Sequence, residues 1–288
     1  MLRGGVPVVE LRTVIFVDGQ NLRNNLRAFR FWTEESERVG HAYRLEEGHF
    51  YWAAFFNGVL DKFDESTGYN HRLLRVYWYN AETITPFRYY KAGIKKIVEQ
   101  HNKDVPGLTD DMVLQATKTW HEQEAQRFRR FREDIYEKIQ RATDFLEFKY
   151  IGFFFVDAYK PSRLWKCDDG SLGYWGTRVG EKGVDTGMAV DMVSKMKDYD
   201  VAILVSGDAD FFPVVKYLKD NLKQVYQFSL ALGVPPEIKY LSPWLKSIVD
   251  VFAFFDEVEL LSKYLDGKFP FPPDVMKAIE SRIADLKG

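Results

Sequence analysis

The sequence contains one cysteine, Cys167, and five histidines scattered along 288 residues. One cysteine excludes an internal disulfide, and no Cys/His group has the spacing of zinc ligands. No run of about 18 apolar residues occurs, and the first twenty residues lack the apolar stretch of a secretory signal. We therefore expect a soluble cytoplasmic protein without membrane segments. The formal net charge is −2, so a nucleic-acid partner would need a local basic patch.

Apolar residues make up 46% of the chain, which is enough for a large core. Short β-branched and apolar runs alternate with segments of helical spacing. The strand-like run "VAILV" (201–205) is followed by the helical "FFPVVKYLKDNL" (211–222) and then by the strand-like "QVYQFSLALG" (224–233). This alternation predicts an α/β fold with a mostly parallel sheet and helices on both faces.

The first strand, near residues 13–18, leads into a segment of helical spacing over 21–32, in which Arg23, Arg27 and Arg30 are expected to form one stripe of the helix. The next comparable strand–helix series begins only after residue 145. We interpret residues of about 32–144 as a large helical insertion, because no linker rich in proline, glycine or serine brackets them. The predicted organisation is one domain over 1–257 that includes the insertion, followed by a C-terminal helical tail over 258–288.

Carboxylates follow the predicted strands. Asp18 ends the first strand, and Asp208 follows the strand 201–205. Asp210 and Asp185 stand at the starts of helices, and Asn21 adds a neutral oxygen near Asp18. Since ligands of open parallel sheets bind at the carboxyl ends of the strands, we expect these side chains to meet at one edge.

Each carboxylate also has a structural interpretation. Asp210 and Asp185 are typical of helix N-caps, and Asp18 before a glycine is typical of a turn. Asp191 stands four residues before Lys195 and can form a surface ion pair instead. Several carboxylates at one site repel each other and raise one another's pKa, however, unless a cation neutralises them.

Oxygen ligands without cysteine or histidine suit Mg²⁺ or Mn²⁺. Such an ion, bound with waters and substrate phosphates, can activate water for phosphodiester hydrolysis. The residue types alone therefore favour a metal-dependent hydrolase.

Three segments, "VIFVDGQN" (14–21), "EKGVDTGMAVDMV" (181–193) and "VAILVSGDADFFPVVKYL" (201–218), resemble in this order the NYN domain, the LabA-like branch of the PIN-like nucleases. The resemblance covers roughly residues 13–31 and 145–256. It implies a Rossmann-like (PIN-like) sheet and metal-dependent cleavage of RNA. The long insertion departs from the family pattern, which leaves the choice of substrate open.

By motif position, the resemblance implies an acidic catalytic site in which Ser206 supports the other side chains. Its predicted catalytic residues are Asp18, Asn21, Asp185, Asp208 and Asp210, of which the four aspartates are the predicted metal ligands.

Cationic and aromatic residues are candidates for binding RNA, since phosphates need cations and unpaired bases stack on aromatic rings. Acidic neighbours balance the basic run 127–132, which is therefore more typical of a solvated helix than of an RNA-binding surface. For Trp175, burial in the core is a second interpretation. The predicted RNA-binding residues are Arg23, Arg27, Arg30, Lys182, Arg178 and Trp175.

These observations predict a Mg²⁺- or Mn²⁺-dependent endoribonuclease for single-stranded RNA. The alternative is a module on the same fold that binds RNA or a protein partner without cleavage. A Rossmann protein for nucleotides or a small-molecule phosphatase is a third reading, but "DGQN" lacks the glycine-rich phosphate fingerprint. Homo-oligomerisation through the insertion or the tail stays open.

Overall fold

The computed structural model describes residues 10–288. The chain divides into two compact units. The first unit comprises the described residues up to Tyr79 together with Ile135–Lys149 and Asp185–Gly288, and the second comprises Asn80–Asp134 and Tyr150–Val184.

The strands are β1 Glu10–Asp18, β2 Arg30–Phe31, β3 Tyr43–Arg44, β4 Asn70–Asn80, β5 Thr83–Ile84, β6 Leu146–Tyr150, β7 Phe153–Asp157, β8 Arg163–Lys166, β9 Leu172–Trp175, β10 Thr177–Lys182, β11 Val201–Val205, β12 Gln224–Leu230 and β13 Val251–Phe255. The helices are α1 Gly19–Leu26, α2 Glu34–Val39, α3 Trp52–Thr67, α4 Lys91–His101, α5 Asp110–Phe131, α6 Glu137–Arg141, α7 Val184–Ser194, α8 Phe212–Asp220, α9 Pro243–Ile248, α10 Glu257–Lys263 and α11 Pro273–Lys287.

The main sheet has the strand order β13-β12-β11-β1-β4-β6. The pairs β1 with β11, β1 with β4, β11 with β12 and β12 with β13 are parallel. Every residue of β11 is buried, as continuous apolar runs in central parallel strands should be. The predicted α/β architecture, a mostly parallel sheet flanked by helices, is confirmed. Its carboxyl edge collects the turns that follow β1, β11, β12 and β13.

An aromatic core supports this sheet. Helix α3 buries one face against β4, β12 and β13, and the rings of Trp52 and Trp78 meet edge to face at 4.6 Å. Phe55 meets Phe255 in the same way at 5.2 Å. Such edge-to-face pairs add to the free energy gained from burying the rings.

The second unit has its own sheet, in the order β10-β7-β5, and a separate hairpin of β8 and β9. Helices α4 and α5 pack with these strands around a cluster of buried side chains that includes Ile94, Val113, Trp120 and Val156. A hydrophobic core of this kind is what allows residues from two chain segments to form one compact unit.

The segment 32–144, predicted as one helical insertion, is divided between the two units. It contains β4, which lies beside β1 in the main sheet, and only its part from Asn80 to Asp134 belongs to the second unit. The segment 145–157 likewise forms two strands, β6 in the main sheet and β7 in the other. Between them, Gly152 has φ +71°, and a Cβ there would lie 2.2 Å from the Lys182 carbonyl oxygen. Glycine allows the chain to leave the main sheet at this point.

The predicted first helix ends earlier than its periodicity suggests. Helix α1 stops at Leu26, and Arg30 pairs instead with Arg44 across the two-stranded sheet of β2 and β3. The expectation that Arg23, Arg27 and Arg30 form one helical stripe is therefore wrong, because pairing with β3 replaces the last predicted helical turn.

Candidate acidic site at the carboxyl edge of the main sheet

Asp18 is the last residue of β1 and the N-cap of α1. Its Oδ1 accepts a hydrogen bond of 2.9 Å from the Asn21 amide, and its Oδ2 accepts one of 2.8 Å from the Ser206 hydroxyl. The side chain is almost fully buried, with 4% of the residue exposed. The turn interpretation and the site interpretation of Asp18 are thus compatible, since its two oxygens face different partners.

Asn21 joins the two central turns of the edge. Its side-chain Oδ1 accepts from the Gly207 amide at 3.2 Å, and Asn25 donates to the same oxygen at 2.9 Å. Asn21 therefore connects the start of α1 with the end of β11. In this structure it orients the backbone of the site rather than pointing into an open space.

Gly207 brings a distant loop to the site. A Cβ at this position would lie 1.6 Å from the Tyr240 carbonyl oxygen, and the Ser242 amide donates to the Gly207 carbonyl at 2.8 Å. Only a residue without a side chain allows this approach. The segment 240–242 is consequently held against the turn that carries Asp208.

Asp185, Asp208 and Asp210 form a cluster in which one carboxylate oxygen of each lies within 4.8 Å of the others. Asp185 is the second residue of α7. Asp208 caps the short 3-10 turn Ala209–Phe211 by accepting from the Asp210 amide at 3.0 Å. The N-cap role considered for Asp210 therefore belongs to Asp208. With Asp18 included, the acidic residues come from three segments that are distant in the chain: the end of β1, the start of α7 and the turn after β11.

Most of these carboxylates have no cationic partner among the described residues. Within residues 10–288, no lysine, arginine or histidine forms an ion pair with Asp18, Asp208 or Asp210. The pKa of Asp18 is raised to about 6, chiefly by burial and in addition by the charges of Asp185 and Asp208, although the hydrogen bonds from Asn21 and Ser206 lower it. A raised pKa of a buried carboxyl beside other carboxylates is typical of functional sites.

The predicted cations near Asn21 have partners of their own. Arg23 donates from Nε to the buried carboxylate of Glu47 at 2.6 Å and also bonds to the Tyr136 hydroxyl. Arg27 forms a more exposed pair with Glu46 at 2.8 Å. Among the described residues, Arg30 forms no ion pair and is exposed. The structure thus ties Arg23 into the first unit and leaves Arg30 facing solvent.

The remaining predicted RNA-binding residues lie in the second unit. Arg178 donates two hydrogen bonds of 2.6 Å to Glu124, and Lys182 is exposed at the end of β10. Trp175 has 57% of its surface exposed, so the alternative interpretation, burial in a core, does not hold. An exposed ring of this size can stack on a base.

Asp191 has the structural role that its spacing suggested. It pairs with Lys195 at 3.0 Å and accepts a hydrogen bond of 2.9 Å from the Tyr79 hydroxyl. Burial and this bond raise the pKa of Tyr79. Asp191 thus contributes to packing of α7 and is not a member of the acidic cluster.

Sequence reasoning missed the contribution of the loop after β12. The closeness of Tyr240 to Gly207 is a contact between remote segments, and only the small residue in "SGD" hinted that some backbone must come near. Gln227 was missed as well; its side chain donates to the Ser206 carbonyl at 2.8 Å inside the sheet.

The structure is an α/β protein with a mostly parallel sheet, and the carboxylate cluster at the carboxyl edge of that sheet could hold a metal ion through oxygen ligands. A family model for the NYN domain matches residues 124–252, and over these residues the predicted resemblance to the NYN domain is confirmed. The family that this model describes comprises PIN-like nucleases. The match contains Asp185, Asp208 and Asp210, whereas Asp18 and Asn21 precede it.

A solved structure of a protein of unknown function from Vibrio parahaemolyticus is similar to this chain at 17% identity and a TM-score of 0.36. The similarity covers 86% of this chain and 94% of that chain. A comparison with curated proteins gives no match. Among the described residues, none of the helices has the length and apolarity needed to cross a membrane.

Proposed function

We propose that this protein is a metal-dependent endoribonuclease that cleaves single-stranded RNA at the acidic edge of the main sheet. The observation that carries the proposal is the meeting of Asp185, Asp208 and Asp210 within 4.8 Å, beside the buried Asp18. Carboxylates this close repel one another, and a bound cation is the simplest way to stabilise them.

The donor set fits Mg²⁺ or Mn²⁺. Asp185, Asp208 and Asp210 would hold the ion, and Asp18 would lie behind them as a further carboxylate. When bound, such an ion activates water and neutralises charge on the phosphate. Hard carboxylate oxygens without histidine or cysteine favour these two ions over zinc.

The chain's own residues have distinct tasks in this proposal. Ser206 and the Asn21 amide orient the Asp18 carboxylate, and the Asn21 side chain holds the turn after β11 in register with the turn after β1. The Asp208 carboxylate fixes the Asp210 backbone, so two metal ligands are positioned by one hydrogen bond. Preorganisation of this kind reduces the reorganisation needed when substrate binds.

The single cysteine agrees with a cytoplasmic location, and this location is part of the proposal. Self-association through the insertion or the tail stays a prediction.

Cleavage of labelled RNA and DNA oligonucleotides with Mg²⁺, Mn²⁺ or EDTA tests the function. We expect metal-dependent shortening of single-stranded RNA and a rate at least about 100-fold lower in Asp208→Asn, since loss of a ligand should exceed the effect of losing an outer-shell partner. Asp198→Asn is the matched control, because Asp198 is exposed and lies before the amino end of β11.

Full activity of Asp208→Asn would overturn the proposal. If the protein binds RNA equally well with metal and with EDTA but never shortens it, the alternative of a non-cleaving RNA-binding module is correct.

A further inference from the structure

Exposed aromatic and basic side chains continue along the carboxyl edge of the main sheet, beyond the acidic cluster. Trp244 is 75% exposed, Trp32 is 52% exposed and Tyr240 is 45% exposed. A single exposed ring is ordinary on a protein surface, whereas several that lie along one edge can form a binding surface. We define the edge strip as Arg30, Trp32, Lys239, Tyr240 and Trp244, all of which belong to the first unit.

The near end of the edge strip touches the acidic site. The Tyr240 carbonyl lies against Gly207, and Ser242 donates to the Gly207 carbonyl. Helix α9, which carries Trp244 at its second position, contacts the turn Ala209–Phe211 that contains Asp210. An exposed indole therefore stands on the element next to the carboxylate cluster.

The far end of the edge strip opens into a cavity of about 580 Å³. Arg30 and Trp32 line one side, and Gly233 and Lys239, from the loop after β12, line another. One wall is rigid, because Arg282 forms two hydrogen bonds of 2.9 and 3.1 Å to Glu257. Glu257 also accepts from the Gly233 amide at 2.8 Å. The volume is in the range of pockets that hold a molecule of nucleotide size.

Three basic residues of this region, unlike Arg282, have no carboxylate partner among residues 10–288. Arg30 lies directly opposite Arg44 in the pairing of β2 with β3, and like charges in that position repel. Over residues 10–288, neither of these arginines nor Lys239 forms an ion pair. A phosphate between them would relieve the repulsion.

The acidic residues of the cavity limit what it can accept. Arg282 pairs with Glu257, and the formal charges of Glu237 and Asp285 balance those of Arg30 and Lys239, so the cavity lining has no net formal charge. Such a mixed lining suits one phosphate with its base better than a polyphosphate, whose several charges would meet these carboxylates.

We propose that the edge strip binds a single-stranded RNA segment next to the cleavage site, with bases stacked on Trp244 and Trp32 and a phosphate held by Arg30 and Lys239. This inference rests on the proposed ribonuclease function and extends it to the substrate path. The turns after β11 and β13 are about 10 Å apart at the usual strand spacing, a span of about two nucleotides. Duplex RNA cannot offer unstacked bases to these rings.

Binding of a fluorescein-labelled, unstructured 12-nucleotide RNA in EDTA tests the edge strip without cleavage. We expect Trp32→Ala and Trp244→Ala each to weaken binding about tenfold or more. Tyr69→Ala is the matched control, because Tyr69 is 51% exposed and lies before the amino end of β4. Arg30→Ala should lower the slope of log Kd against log salt by about 0.7, whereas Arg72→Ala, near the amino end of β4, should not.

Affinities of Trp32→Ala and Trp244→Ala within twofold of the control would overturn the inference, as would equal binding of duplex RNA or no binding by the unchanged protein. The two proposals fail separately. If the protein cleaves RNA and the two tryptophan substitutions do not weaken RNA binding, only the edge-strip proposal fails. If the substitutions weaken RNA binding in EDTA but the unchanged protein never cleaves RNA with metal, only the nuclease proposal fails.

Discussion

Two buried carboxylates of the first unit are stabilised in different ways. Glu47 is 0% exposed and faces Arg23 at 2.6 Å, although its Oε2 accepts no hydrogen bond from a described residue. Asp18 is 4% exposed and has hydrogen bonds to Asn21 and Ser206 but no cationic partner in the described part of the chain. Among residues 10–288, Glu47 has a cationic partner and Asp18 has none.

Under the proposed function, this difference separates a structural ion pair from a site that binds a cation. A buried ion pair is complete without anything added, so its main effect is on folding. A buried carboxylate without a cation keeps a raised pKa and favours any cation that reaches it. We therefore expect the proposed cation to stabilise the acidic edge and to leave the Arg23–Glu47 pair unchanged.

The largest expected effect is on the ion pair. Arg23→Ala leaves Glu47 buried without its partner, so we expect the free energy of unfolding to fall by about 3 kcal/mol. Arg27→Ala should cost less than about 1 kcal/mol, because the Arg27–Glu46 pair is exposed by 40% and 42% and is screened by solvent. Urea denaturation of both variants measures the difference. Equal, small losses would show that Arg23 is not a structural residue.

The second effect is the pH dependence caused by Asp18. Its folded-state pKa of about 6 exceeds its ordinary value of 3.8, so the folded protein binds the extra proton between these values. Stability from this group is present below about pH 4 and is lost as the pH rises through 6. The Asp18→Asn variant has no carboxyl group to titrate at this position. Above pH 6 its free energy of unfolding should therefore exceed that of the unchanged protein by up to about 3 kcal/mol.

Denaturation in EDTA at pH 4, 5, 6 and 7.5 measures this gain. Added Mn²⁺ should reduce or reverse it, because a cation would then compensate the Asp18 carboxylate. Parallel stability profiles of the two proteins across this range would contradict the assignment.

The smallest effect compares two aspartates of α7. Asp191 has a lysine partner, whereas Asp185 belongs to the acidic cluster. Lys195→Ala should lower the free energy of unfolding by less than about 1 kcal/mol, as is usual for a pair four residues apart on a helix. Metal-dependent cleavage should not change. A tenfold loss of cleavage in Lys195→Ala would place Asp191 in the catalytic site.

The turns of the acidic edge were predictable because their information is local. A buried β-branched strand followed by Asp18 or Asp208 predicts both the turn and its edge of the sheet. The fate of Arg30 was not predictable from helical periodicity, because pairing with β3 competes with the helix and depends on Tyr43–Arg44. The partner of Arg23 could not be predicted either, since Glu47 reaches it only after α1 and the following segment have packed.

The sequence by itself determined the α/β alternation and the positions of the aspartates, because strand and helix periodicities and turn residues act over a few residues. Tertiary structure alone decided which charges are paired, which residues leave the main sheet for the second unit, and that Tyr240 lies against Gly207. Those outcomes depend on distances between chain-remote groups, and packing and electrostatics set such distances only in the folded state.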